Sequence, residues 1–327
     1  IWGVGNNSFG DLGNVGQLFA WTKLMPSTWR QAAMGNLFSW LLNDNGTLWS
    51  SGLNSTIGVI AADASINIRA EFQQVGSATN WARVAAGGFH SLALTDDGRL
   101  YGCGYNAYGQ LGALVGNQFS LTQFGSGVVR MCGGYANTFT IRSNGTVWNT
   151  GENFLGALGV GDGISRFGLV QESQGFTDVV SITAGARHSV ILRSNGTLWG
   201  TGSNATGQLG LGDTVDRNVY TQIGTDTDWA SVHAFTPGTM ALKRDGSLWT
   251  CGDNAAGALG FTEAYDRLVL TQPNPTRTWV KLGNNESYCA ASWPHSYAHS
   301  LVLRATGAIT PVVALDRPSP IWTMPTT

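Results

Sequence analysis

Short stretches of alternating hydrophobic and polar residues recur along this chain, each closed by a glycine-bearing turn. From His90 the sequence reads HSLALTDDGRLYGCG, in which Ser91, Ala93 and Thr95 alternate with Leu92 and Leu94. A period of two is that of a β-strand, whose side chains point to opposite faces in turn. Asp97-Gly98 then predicts a tight two-residue turn with positive φ angles. The same turn signal recurs at Asn45-Gly46, Asn144-Gly145, Asn195-Gly196 and Asp245-Gly246, with Thr306-Gly307 a weaker sixth copy. Another strand lies upstream, typified by Trp81-Ala82-Arg83-Val84-Ala85. Its equivalents begin at Trp29, Trp229 and Trp279, and Gly127 and Val179 replace the tryptophan in two copies. A fourth strand follows each unit, as at Phe119–Phe124.

Behind each hairpin stands a second pattern, aromatic-x-x-Gly-x-Asn-x-x-Gly-x-Leu-Gly. It begins at Trp2, Tyr101, Trp148, Trp199 and Trp249, with a degraded copy at Trp49. Its first glycines, Gly5, Gly52, Gly104, Gly151, Gly202 and Gly252, lie 47 to 52 residues apart. Four short antiparallel strands per period are the build of a propeller blade. One such sheet cannot bury both its faces, so neighbouring copies must stack. The expected fold is all-β: a β-propeller of six four-stranded blades over residues 1–310, seven being the alternative. Pairing Ile1–Gly5 with His299–Ala305 would close the ring, leaving 311–327 as a Pro-rich extended tail or linker. The small-residue segments Ala85–Gly88, Cys132–Gly134 and Ala184–Ala186 suit the crowded innermost strand. The aromatic series Trp2, Trp49, Tyr101, Trp148, Trp199 and Trp249 predicts packing between blades.

Composition narrows the function. Charged residues make up 12% of the 327, about half the usual share, and the net charge is −2. That leaves no broad field for nucleic acid or an anionic membrane. No apolar stretch reaches the length of a membrane span, so membrane insertion is not expected. The chain starts at Ile1, which suggests a piece of a larger polypeptide or assembly. Cys103, Cys132, Cys251 and Cys289 form no C-x-x-C pair and read as four separate buried thiols. The N-x-T triplets at Asn45, Asn144 and Asn195 fall on the hairpin turns, where Asn-Gly serves the backbone.

The combination of G-x-N-x-x-G-x-L-G, a preceding Asp/Asn-Gly hairpin and the His-Ser-φ-x-Leu strand resembles the regulator-of-chromosome-condensation repeat family, over about residues 1–310. The resemblance implies a propeller, usually seven-bladed in the eukaryotic founder. Founders of the family act as exchange factors for a small Ran-like GTPase and bind nucleosomes. Many bacterial and viral relatives look like general recognition domains. This chain shows six motifs and no basic tail, and no catalytic residue of the family matches a position here.

Candidate chemistry is sparse. His90, His188 and His299 hold one repeat position and read as partners of backbone groups at a blade edge. Asp162 and Asp213 follow the glycine block and read as loop caps, with calcium binding the minor alternative. The glycine blocks lack a P-loop lysine and a following helix, and no nucleophile elbow, HExxH or carboxylate pair occurs. No enzyme, cofactor or metal is expected. One slot breaks the repeat. Trp81 to His90 and Val179 to His188 each span nine residues, but Trp279 to His299 spans twenty. The insertion, Asn284–Ala298, carries Glu286, Tyr288, Trp293, His295 and Tyr297, the composition of a binding hot spot. The expectation is a non-enzymatic binding or structural module, a surface-exposed recognition domain of a larger bacterial or viral assembly. It would hold a protein or a surface glycan on one propeller face, outside the cell or on a virion rather than in the cytoplasm or nucleus. The alternative is an exchange factor or scaffold for a small GTPase.

Overall fold

The structure, a computed structural model, describes residues 2–5, 12, 18–23, 28–53, 68–236, 238–282, 300–304 and 309–312. The described residues form strands and turns and no helix. β1 (Trp2–Gly5) pairs with β2 (Leu18–Lys23). The first four-stranded sheet is β3 (Trp29–Met34), β4 (Phe38–Asn43), β5 (Leu48–Leu53) and β6 (Ile68–Val75). The second is β7 (Trp81–Ala86), β8 (His90–Thr95), β9 (Leu100–Gly104) and β10 (Gln118–Gly125). The third is β11 (Val128–Gly133), β12 (Asn137–Arg142), β13 (Val147–Gly151) and β14 (Arg166–Gln171). The fourth is β15 (Val179–Ala184), β16 (His188–Arg193), β17 (Leu198–Gly202) and β18 (Arg217–Ile223). The fifth is β19 (Trp229–Phe235), β20 (Gly238–Lys243), β21 (Leu248–Gly252) and β22 (Arg267–Thr271). β23 (Trp279–Leu282), β24 (Ser300–Arg304) and β25 (Ile309–Val312) make a three-stranded sheet. All pairings are antiparallel between chain neighbours, as the periodicity predicts.

The sheets stack in chain order through their first strands, with β3 against β7, β7 against β11, β11 against β15, β15 against β19 and β19 against β23. Apolar side chains therefore bury between sheets. One cluster joins Trp40, Leu42 and Leu48 of the first sheet to Trp81 and Val84 of the second, with Tyr101 packed against it. Another joins Val190, Leu198 and Ile223 to Trp229 and Val232, with Trp249 alongside. Tyr101, Trp199 and Trp249 of the aromatic series thus pack at sheet boundaries.

The five Asn-Gly and Asp-Gly hairpin turns differ in detail from the expected two-residue form. In the second sheet Gly98 N–H donates to Thr95 C=O and Thr95 N–H to Arg99 C=O. The loop therefore holds three residues, with the glycine at φ +81°. These bonds and the left-handed glycine are those of the three-residue hairpin, commonly a type I turn followed by a bulge that suits strand twist. The side chain before the glycine is then free to cap the turn. Asn144 Oδ1 accepts from the Thr146 hydroxyl at 2.7 Å, and Thr146 Oγ1 accepts from Trp148 Nε1 at 3.1 Å. That arrangement explains the N-x-T triplets. The turn glycines also stitch sheets together: Gly46, Gly98, Gly145, Gly196 and Gly246 each accept, at C=O, the N–H of the first residue of the next sheet.

The ends depart from expectation. Ser300–Arg304 pairs with β23 on one side and with β25 on the other, where Leu303 faces Ile309 and Ser300 faces Val312. The edge assigned from sequence to Ile1–Gly5 is therefore taken by the chain just downstream, and Trp2 faces Lys23 of β2 instead. A local hairpin loses far less loop-closure entropy than a pairing of the two chain ends. β25 also runs to Val312, past the boundary expected at residue 310.

Candidate binding face

In the second to fifth sheets the sequence motif builds a loop after the third strand. Asn106, Asn153, Asn204 and Asn254 are buried, and each Oδ1 accepts the N–H of the motif leucine five residues on, at 2.8 to 3.0 Å. The amide nitrogens of Asn153 and Asn204 donate to Asp162 and Asp213 C=O, both at 2.9 Å. Those aspartates cap the loop as expected: Asp213 Oδ1 accepts Val215 N–H at 3.0 Å, and Oδ2 accepts the Arg217 guanidinium at 2.6 Å. The hydrogen bonds hold the Asp162 and Asp213 carboxyls below the usual range, led by the arginine. Among the described residues no cluster of three potential metal ligands occurs.

The loops after the first and third strands share one end of each sheet, and a backbone bond ties them. Tyr105 N–H donates to Phe89 C=O, Glu152 N–H to Ala136 C=O, and Ser203 N–H to Arg187 C=O. The repeated histidines lie just beneath. His90 and His188 are buried, bonded to Thr138 and Thr239 of the next sheet, so their role is structural.

Departures from the repeat mark one part of this face. The residue after the motif asparagine is Ala107, Ala205 or Ala255 in three sheets but Phe154 in the third, with 61% of its surface exposed. Where other copies have Asn36, Gly88, Ala186 or Thr236, the third sheet has Tyr135. Tyr135 meets Phe89 edge-on at 5.1 Å, while Tyr108 meets Tyr105 at 6.3 Å and Phe154 at 6.0 Å. The Tyr135 ring lies against Gly88, where a Cβ would come within 2.8 Å of Tyr135 C=O. Glu152 sits beside these rings with 9% of its side chain exposed, and Arg187 Nε reaches its carboxylate only to 3.9 Å. Burial pushes the Glu152 carboxyl up, against the pull of Arg187. Burial raises the Tyr135 phenol also, followed by the charge of Glu152.

The patch spans the second, third and fourth sheets and was not foreseen. Its signal lay in the alignment of the repeats: large side chains stand where other copies keep small ones. The five residues singled out from sequence, Glu286, Tyr288, Trp293, His295 and Tyr297, lie outside the described residues, as does His299.

Residues 81–110 and 179–208 match the Regulator of chromosome condensation (RCC1) repeat. The chain is 34% identical over 146 residues to the ultraviolet-B receptor UVR8 of Arabidopsis thaliana, covering 41% of this chain and 32% of that protein. It is 33% identical over 182 residues to the secretion-regulating guanine nucleotide exchange factor of Bos taurus, 53% of this chain and 37% of the relative. The chain thus spans about a third of the length of these relatives. Among solved structures it resembles Prp20p from Saccharomyces cerevisiae, a protein studied for binding Gsp1p and histones. The TM-score is 0.80 at 17% identity, over 95% of this chain and 80% of that one. Human WBSCR16 gives 0.76 at 21% identity, over 86% and 78%.

Proposed function

Starting from a chain that carries RCC1 repeats on an all-β propeller-type fold, we propose that it is a non-enzymatic module that binds a protein partner through its loop face. The observation that carries this reading is the aromatic patch. Repeats keep small residues where only the fold is served, and Tyr135 and Phe154 break that rule at the loop end of one sheet, the third. The exposed Phe154 and the half-buried rings of Tyr135, Tyr108, Tyr105 and Phe89, with a few polar groups, have the composition of an interface hot spot. The setting belongs to the same proposal: a recognition domain displayed at a surface within a larger assembly. So does the blade count, read as six with seven the alternative.

Affinity capture tests it. The Tyr135→Ala/Phe154→Ala double variant is compared with Phe167→Ala, whose ring is also 61% exposed but lies on the outer strand β14. A protein held by the wild type and Phe167→Ala but lost by the double variant, at unchanged melting temperature, supports the reading. Equal capture by all three sinks it.

A second reading is an exchange factor or scaffold for a small GTPase, favoured by the likeness to the bovine exchange factor and by the Gsp1p binding named for Prp20p. A nucleotide-release assay against small GTPases separates the two, and clear acceleration would favour the second.

A further inference from the structure

The Glu152 carboxylate is poorly compensated for its burial. Its side chain is nine-tenths buried, yet its one cationic neighbour among the described residues is Arg187, 3.9 Å away and with 62% of its own side chain in solvent. At that separation no hydrogen bond forms, and an exposed arginine loses much of its pull to solvent screening. A desolvated carboxylate is costly unless paired with a charge that also donates hydrogen bonds. Tyr135 feels the charge of Glu152 and of Tyr105 and Tyr108; it packs edge-to-face on Phe89, while Tyr105 and Tyr108 form a second edge-to-face pair, and ring faces attract cations.

We propose that Glu152 and the surrounding tyrosines take up an arginine or lysine side chain presented by a protein partner, with Arg187 as the internal cation that the incoming one displaces. This rests on the reading of the face as a protein-binding surface and names what that surface recognises. An incoming guanidinium can donate two parallel hydrogen bonds to the carboxylate, which Arg187 does not, and can stack on a ring. Arg187 swings away at little cost because its side chain is mostly in solvent. A neutral sugar would also stack on the rings. It would leave the carboxylate without a countercharge, and so fits less well.

The intact chain is titrated with acetylated, amidated Gly-Gly-Arg-Gly-Gly, its citrulline and glutamate counterparts, and diacetylchitobiose, following tyrosine ring signals by NMR. The arginine peptide should bind tightest, and Glu152→Gln should weaken it by about 10-fold, the weight of a charge-assisted pair. Arg187→Ala should tighten it by about 3-fold, since an exposed competitor is removed. The arginine variant guards against a folding artefact in Glu152→Gln. Equal binding of arginine and citrulline peptides overturns the proposal, as does preference for the glutamate peptide, preference for the sugar, or no binding at all. If partner capture depends on Tyr135 and Phe154 but not on Glu152, this inference alone falls. If capture ignores the aromatic rings, the underlying reading falls instead.

Discussion

His90 Nε2 lies 3.0 Å from Thr138 Oγ1 across the boundary between the second and third sheets, and Thr138 Oγ1 donates onward to Gln110 C=O at 2.7 Å. Because the hydroxyl proton goes to the carbonyl, the imidazole must donate at Nε2, which fixes the neutral tautomer. The fourth and fifth sheets repeat the relay, with His188 Nε2 3.1 Å from Thr239 Oγ1 and that oxygen 2.7 Å from Gln208 C=O. One side chain thus joins a strand, the next sheet and the motif loop between them.

The relay sets an acid limit on stability. Burial holds His90 at about 3 and His188 at about 4, whereas an unfolded histidine titrates near 6.5. Above pH 6.5 both rings are neutral in either state, and this contribution is full. Below it the unfolded chain takes up protons that the native rings refuse, so stability falls as pH drops toward 4. The loss is at most about 1.4 kcal/mol per pH unit per histidine. Asn137 holds the same repeat position in the third sheet, so His90→Asn is a natural replacement. Melting temperatures from pH 7 to 4 should fall less steeply in that variant than in the wild type. Parallel slopes would clear His90 of the effect.

Asn153 should be worth more than its size suggests. Alanine there strands the Leu158 N–H and the Asp162 C=O inside the loop, costing about 2–4 kcal/mol for two unsatisfied groups. Asn144, exposed at a hairpin turn, should cost less than about 1 kcal/mol on the same substitution. Urea unfolding of the two variants decides it. A smaller loss for Asn153→Ala would mean that the motif asparagine does not hold the loop.

Two glycines separate backbone conformation from close approach. Gly145 and Gly175 have φ of +74° and +70°, but a Cβ on Gly145 would fall 2.2 Å from Thr177 C=O, while Gly175 has open space. Gly175→Ala should cost about 1 kcal/mol, the price of an L-residue at positive φ. Gly145→Ala should cost clearly more, because it also pushes apart the sheets joined by Val179 N–H and Gly145 C=O. Equal losses in thermal unfolding would argue against the stitch.

Cys103, Cys132 and Cys251 are buried thiols outside any disulfide, and burial pushes the Cys251 thiol up to about 12 and raises Cys103 as well. A thiol that is neither ionised nor accessible does not attack. Peptide mapping after brief iodoacetamide treatment should find these three unmodified in the native protein and fully alkylated after unfolding. Fast labelling of any of them in the native state would contradict the packing.

The sequence alone determined the strands, their order and their meander pairing. Period-two stretches such as Ser91–Thr95 and turn glycines such as Gly98 act over a few residues, and six copies average out local ambiguity. It also pointed to structural roles for His90, His188, Asp162 and Asp213, since a residue that recurs at one repeat position tends to serve the unit. The tertiary structure alone decided the rest. Whether β24 pairs with β1 or β25 depends on competition between a local hairpin and a distant strand, which one strand's pattern does not encode. The hairpin turns took the bulged form because the flanking strands twist and the Asn or Asp side chain caps the loop. The binding patch lies still further from the sequence. Phe89, Tyr135, Glu152 and Arg187 are scattered over 99 positions and three sheets. They become neighbours because the loops after first and third strands emerge together and successive sheets are stitched at a fixed offset. A carboxylate's burial and an arginine's failure to reach it are properties of that packing, so no spacing along the chain could announce them.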